Sequence, residues 1–230
     1  MIVSHKHKFI FIKTAKTAGT SFEIALSKYC GPDDIITPIS PADEKIRGEL
    51  GCRGPQNHLA PRSDYGLMDR LNLLFRKREK RLYYNHMPAF MVKELIGDDI
   101  WSSYYKFCFE RNPWDKVLSL YYWKNKTEPR PPVSEYLESA DIGILKKRGI
   151  RCYAIDGKAA MDRVCKFENL KDELKLLQER FELPGPIEMP FAKGSYRKDK
   201  RHYRDVLTAA EAERIGEIFK DEIELMGYEF

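Results

Sequence analysis

The chain has 230 residues, 43% hydrophobic and 33% charged, with a net charge of +5. This composition excludes a disordered or collagen-like chain and fits one globular domain over 1–230 with a sizeable core. No apolar run approaches the ~20 residues of a membrane span and the start shows no signal-peptide pattern, so a cytoplasmic location is expected.

Five widely spaced cysteines form no CxxC or Cys/His cluster, so neither a zinc site nor a disulfide framework is expected. Three segments are basic, "RKREKR" (76–81), "KKRGIR" (146–151) and "YRKDKRHYR" (196–204). Each is a solvated face or part of a surface for an anionic partner.

In chain order, a strand over about 8–13 ends in a loop at 14–19, and a helix follows from about 19 to 29. Residues 31–80, rich in Gly, Pro, Asp and Arg, read as irregular. "RLYYNH" (81–86) reads as a short strand ending in His86, and "PAFMVKELIG" (88–97) as a helix with Pro88 at its start and Gly97 as its stop. "YYKFCFE" (104–110) reads as a central strand. Asn112 and Pro113 open the next helix, with Val117, Leu118, Tyr121 and Tyr122 at helical spacing. "RVCKFENL" (163–170) is a strand turning into the helix "KDELKLLQERF". A last helix over 208–227 opens with Thr208 and Glu211 in capping-box spacing and stops at Gly227. Strands alternating with helices predict an α/β fold, a central parallel sheet flanked by helices.

The loop "KTAKTAGTS" suits an anion, because a helix N-terminus after small residues offers backbone N–H groups. It is not a Walker A loop, where Lys follows the last Gly and a hydroxyl residue comes next. Here Lys16 precedes Thr17, Ala18, Gly19, Thr20 and Ser21. A charged surface turn before a helix is the plainer reading.

"FIFIKTAKTAGTSFE" resembles the 5′-phosphosulfate loop of sulfotransferases that use 3′-phosphoadenosine-5′-phosphosulfate (PAPS), with Ala15 where many members have Pro. "FCFERNPWDKVLSLYYW" resembles the 3′-phosphate element of that family, in which Arg111 at a strand end and Ser119 on the next helix grip one phosphate. "YYNHMPAF" is similar to the segment whose His is the base in the glycan 2-O-sulfotransferase-like branch. "VCKFENLKDELKLL" and the C-terminal stretch from Tyr196 resemble further family segments, the latter a basic loop and last helix closing over the cofactor through Arg197 and Lys198. The resemblance covers 8–29, 81–124 and 163–230. It is weak over 31–80 and 125–160, where acceptor recognition is expected.

The resemblance implies a P-loop-like sulfotransferase fold and transfer of a sulfuryl group from PAPS to a hydroxyl acceptor, an acidic saccharide being favoured by the basic segments. It implies His86 as base, Lys16 stabilising the leaving phosphate, Thr17 to Ser21 on the 5′-phosphate, and Arg111 with Ser119 on the 3′-phosphate, without a metal. The family's animal members carry a membrane anchor and work in an oxidising lumen, whereas neither an anchor nor paired cysteines are read in this sequence, so a bacterial relative or a trimmed catalytic domain is expected. His58, His202, Glu110 and Glu168 stand as alternative bases. Two other functions stay open: a magnesium-dependent P-loop kinase or nucleotide hydrolase, and a non-catalytic module binding an acidic polymer. Nucleic acid is not an expected partner, since no nucleic-acid-binding motif is present.

Overall fold

The computed structural model describes residues 1–190, 199 and 201–230. In chain order its strands and helices are β1 (Ile2–Ser4), β2 (Phe9–Phe11), α1 (Gly19–Ser27), β3 (Ile35–Ile36), α2 (Pro41–Glu49), α3 (Leu67–Arg76), α4 (Ala89–Ile96), α5 (Asp98–Ser103), β4 (Tyr105–Glu110), α6 (Pro113–Lys124), α7 (Val133–Tyr136), α8 (Ala140–Lys147), α9 (Ile150–Tyr153), β5 (Ala154–Ile155), β6 (Lys158–Ala159), β7 (Arg163–Lys166), α10 (Leu170–Arg180), α11 (Ala209–Ile218) and α12 (Lys220–Met226).

One five-stranded sheet, in the order β3-β1-β2-β4-β7, organises these elements. β2, β4 and β7 are parallel, in the registers Phe11↔Phe107 and Phe107↔Arg163. β1 runs antiparallel to both β2 and β3, so the sheet is mixed and the expectation of a parallel one is corrected at that strand. β1 has only three residues and runs at once into a polar turn, too little for a periodic signal. Asp34 fixes that turn: its carboxylate accepts from the backbone N–H groups of His5 (2.7 Å) and Lys6 (3.0 Å) and from the Ser4 hydroxyl (2.8 Å).

Alternation along the strands divides the core between the two faces of the sheet. Phe9, Phe11, Phe107, Phe109 and Cys165 turn to one side, against Phe22 and Leu26 of α1 and Leu177 of α10. Val3, Ile10, Ile12 and Cys108 turn to the other, against Val92 of α4 and Cys152 and Tyr153 of α9. With both faces covered, the strands read as continuous apolar runs. A further cluster joins α6, α8 and α11 through Val117, Leu118, Leu145, Ile215 and Phe219. All five cysteines are free, and four are buried. Among the described residues, no helix is long and apolar enough to cross a membrane.

Three more expectations are corrected. Residues 81–86 are not a strand: only Arg81 makes a bridge, to Leu59, and Leu82 and Tyr83 both donate to the His58 carbonyl as the chain turns toward His86. Residues 31–80 hold β3, α2 and α3; Ser40, with Pro41 as the first helical residue, caps α2. The last helix is two helices, broken at the buried Phe219. That break carries Glu222 to the Ile150 N–H (3.3 Å), and the left-handed Gly227 (φ 62°) lets Tyr228 return to Glu168 (3.0 Å). The Thr208–Glu211 capping box forms as read.

Phe107 is wholly buried, with ring centres of Phe9, Phe11, Phe22 and Phe181 at 5.8, 5.4, 6.0 and 5.5 Å. Phe107→Ala is expected to cost about 3–5 kcal/mol, read as a lower denaturant midpoint at unchanged slope. A loss below 1 kcal/mol would contradict a close-packed sheet centre.

Candidate functional site

The first turn of the site joins β2 to α1. Lys13 leaves the strand buried, and its Nζ meets Glu23 Oε2 at 2.8 Å. Glu23 is wholly buried and also faces the Met1 amine (2.9 Å) and Arg47 (3.7 Å). Burial alone would raise the Glu23 pKa, but Lys13 and then the Met1 amine outweigh it and bring it down to about 2. Burial pushes the Met1 amine itself down to about 5, which leaves Lys13 as the dominant partner at neutral pH.

The Lys13 stem crosses Gly19 so closely that a Cβ there would stand 2.9 Å from Lys13 Cγ and 3.4 Å from the Thr14 carbonyl. Only glycine fits, because the far end of Lys13 is held by Glu23. The Thr14 hydroxyl donates to the Phe109 carbonyl, tying the loop to β4. Thr17 is buried with its hydroxyl 3.0 Å from that of Thr14. Its side chain is not among those that line the cavity. Lys16 (φ 63°) and Ala18 (φ 55°) on either side are both left-handed, at a cost of about 1–3 kcal/mol each. Ala18 gives α1 no side-chain cap, so the first-turn N–H groups beside Gly19, Thr20 and Ser21 keep their capacity for an anion.

The second turn joins β4 to α6. The Asn112 side chain caps α6, accepting from the Trp114 N–H at 3.1 Å. Arg111 donates from Nε and Nη2 to Asp115 (2.8 and 2.5 Å) and from Nη1 to the Lys16 carbonyl (3.1 Å). Its guanidinium lies 4.5 Å from the centre of the Phe167 ring. These bonds use three of the five guanidinium N–H groups. Arg111 thus forms a helix-end salt bridge and still has donors for a ligand. Behind this turn the buried Lys116 and Glu110 are paired at 2.5 Å.

His86 arrives between α3 and α4 in a third left-handed conformation (φ 59°). Its Nδ1 lies 2.9 Å from the Lys13 carbonyl. A carbonyl only accepts, so Nδ1 carries the hydrogen and Nε2 the lone pair. Burial, then Lys13, then Arg148 push the His86 pKa down to about 3.

These segments meet in one cavity of about 650 Å³, within the range of small-molecule sites. Lys16, Ala18, Gly19, Thr20, Ser21, His86, Arg111 and Ser119 all line it. Among the described residues, three of the eight non-glycine residues with positive φ lie on this wall. Arg197 and Lys198 lie outside the described residues.

Among the alternative bases, Glu110 is committed to Lys116, and Glu168 accepts from the Asn112 N–H (2.6 Å) and from Tyr228. Neither these two nor His58 and His202 line the cavity. His5 and His7 are partly buried and bonded, to Tyr104 and to the Phe181 carbonyl.

The cavity also has walls that the motifs do not mark. Trp123, Asp141, Ile144 and Arg148 come from α6, α8 and the turn after α8, and Phe167 and Leu170 from the β7–α10 connection. The Lys16 ammonium lies 5.1 Å from the Trp123 ring centre. Arg148 sits in the basic run 146–151, the one signal that could have marked it. No residue of 31–80 lines the cavity. Among the described residues, no group of three or more His, Cys, Asp or Glu is arranged to hold a metal ion.

Because the Glu23 pKa falls from 4.5 to about 2 on folding, its contribution is full above pH 4.5 and is lost as pH falls toward 2. The contribution is about 3 kcal/mol. Glu23→Gln should therefore be destabilised at neutral pH and lose less further stability than the parent on acidification. Parallel stability–pH curves for the two proteins would sink the assignment.

No family model and no solved structure matches the chain. It is similar to an uncharacterised protein of Archaeoglobus fulgidus, 29% identical over 118 residues that make up 49% of this chain and 98% of that protein.

Proposed function

We propose that the chain is a PAPS-dependent O-sulfotransferase with a P-loop-like sulfotransferase fold, acting on a carbohydrate hydroxyl. The observation that carries this reading is the convergence of three separated segments, 16–21, His86 and Arg111 with Ser119, on one cavity at two strand-to-helix turns. The donor set suits two phosphate groups: an uncapped helix N-terminus with Thr20 and Ser21, a lysine, and an arginine with a serine on the following helix. Gly19 lets the loop close over the Lys13 stem, where a Cβ would clash. Bound PAPS supplies a sulfuryl group on a phosphosulfate anhydride.

The residues divide the remaining work. Gly19, Thr20 and Ser21 hold the 5′-phosphate, and Arg111 and Ser119 the 3′-phosphate. Lys16 stabilises the negative charge left on the departing phosphate. His86 takes the proton of the acceptor hydroxyl at Nε2. Burial first, and then Lys13 and Arg148, lower its pKa; an anionic ligand offsets the two cations and raises it. Asp141, Ile144 and Arg148, from α8 and the turn after it, line the cavity and form the acceptor wall. The free thiols suit a reducing, cytoplasmic setting.

Calorimetric titration with 3′-phosphoadenosine-5′-phosphate, with and without EDTA, tests the reading. Metal-independent binding is expected, weakened about ten- to hundredfold in Arg111→Ala and more modestly in Ser119→Ala. Absence of binding would overturn the sulfotransferase reading, and binding only of ATP with magnesium would favour the kinase reading instead. His86→Ala should bind the nucleotide normally and lose about a hundredfold or more in turnover. In a histidine NMR titration, the His86 pKa should rise from about 3 when the nucleotide is added.

A further inference from the structure

The helix α3 inverts the usual arrangement of an amphipathic helix. Leu67, Met68, Leu71, Leu74 and Phe75 fall on one face, a stripe about 120° wide at 100° per residue. Such a stripe ordinarily faces the core. Here those side chains are 75, 68, 39, 71 and 75% exposed, and no residue of α3 is buried. Asp69, Asn72 and Leu73 are the partly buried positions. The helix directly precedes a basic run: Arg76, Lys77, Arg78, Lys80 and Arg81 against Glu79 give five positive charges and one negative, a net +4. All of these residues are exposed.

The helix sits in an excursion closed at its base. Leu59 bridges Arg81, the Ala60 N–H donates to the Lys80 carbonyl (2.9 Å), and the Lys80 N–H donates to the Tyr65 hydroxyl (3.0 Å). The Lys80 ammonium meets Asp69 at 3.1 Å, which ties the basic run to the inner face of the helix.

We infer that α3 and the run 76–81 form a membrane-surface anchor, with the apolar stripe lying in the headgroup boundary of an anionic lipid bilayer. An outward apolar stripe beside clustered Lys and Arg is the composition of a helix that lies in the interface plane. The charge selects the occupant: a second copy of this chain would bring another +4 run to the same patch, whereas anionic headgroups complement it. Since no residue of 31–80 lines the cavity, lipid can cover α3 without occupying the candidate site. The inference stands independently of the sulfotransferase reading.

Co-sedimentation with vesicles of equal parts phosphatidylglycerol and phosphatidylcholine tests it, with pure phosphatidylcholine as the neutral control. The full chain should pellet with the anionic vesicles, far less with the neutral ones, and less in high salt. Leu71→Glu with Phe75→Glu should abolish pelleting while circular dichroism and the melting temperature stay unchanged. Arg76→Gln, Lys77→Gln and Arg78→Gln together should weaken partitioning by roughly fivefold per residue removed. Three results would overturn the inference: no pelleting of the parent protein with anionic vesicles; pelleting unaffected by the Leu71 and Phe75 changes, which would assign it to basic residues elsewhere; or a lipid-free dimer in sedimentation velocity that the same changes dissociate.

Discussion

The buried ion pair between Lys13 and Glu23 sets the geometry on which the site depends. Taking both charges out of water costs several kcal/mol for each ion, so such a pair is poor evidence of net stability. Its effect is on shape. It ties the end of β2 to the second turn of α1 at 2.8 Å, which leaves residues 14–18 no extended route between the two. The Lys13 stem then occupies the space beside Gly19, and the loop closes only through the left-handed Lys16 and Ala18. The strain of those two residues is held by a contact that cannot be opened cheaply, because removing either charge leaves the other buried without its partner.

The second turn repeats the device with the charges exchanged. At the first turn the strand end supplies the lysine and the helix the carboxylate. At the second, Glu110 ends β4 and Lys116 lies on α6, again fully buried, at 2.5 Å. Tyr153 and the Arg111 N–H also donate to Glu110 (3.3 and 3.0 Å). Each of these two strand-to-helix loops is thus backed by a buried ion pair, Lys13 with Glu23 and Lys116 with Glu110. Of the charges that face the cavity, Lys16 and Arg111 belong to these two loops, while Lys124 and Asp141 come from α6 and α8 and Arg148 from the turn after α8. Groups fixed in this way need little reorganisation when a charged ligand arrives, the condition for strong electrostatic stabilisation.

Much of this frame was legible in the sequence, for reasons specific to each part. β4 and the opening of α6 were readable because an apolar aromatic run meets Asn-Pro, where a cap and a fixed φ coincide. The β2–loop–α1 unit was readable because small residues interrupt two apolar segments. β1 was not, since three residues cannot show a period. The pairing of Lys13 with Glu23 was not, because charges ten positions apart carry no local pattern and their burial is a tertiary fact. Residues 81–86 misled through their aromatic content: β-propensity describes fit to a sheet surface, and this segment has no strand beside it except at Arg81. That the Thr17 hydroxyl turns to Thr14 was not legible either, because loop curvature is not written in residue type.

The backbone of residues 13–16 links the parts of the site to one another. The Lys13 carbonyl accepts from His86 Nδ1 at 2.9 Å, the Ala15 N–H donates to the Arg148 carbonyl at 2.9 Å, and the Lys16 carbonyl accepts from Arg111 at 3.1 Å. The histidine, the turn after α8 and the arginine are therefore positioned against a single stretch of loop. A change in the loop that moved any of these groups would reach the other two by the same hydrogen bonds. The bond from His86 also fixes which ring nitrogen carries the lone pair, so the tautomer of the histidine and the path of the loop are one structural choice. This explains why His86 itself adopts a left-handed φ in a segment with no regular structure. Its backbone is bent to bring the ring to the Lys13 carbonyl, and the contact that bends it leaves Nε2 as the ring's proton acceptor.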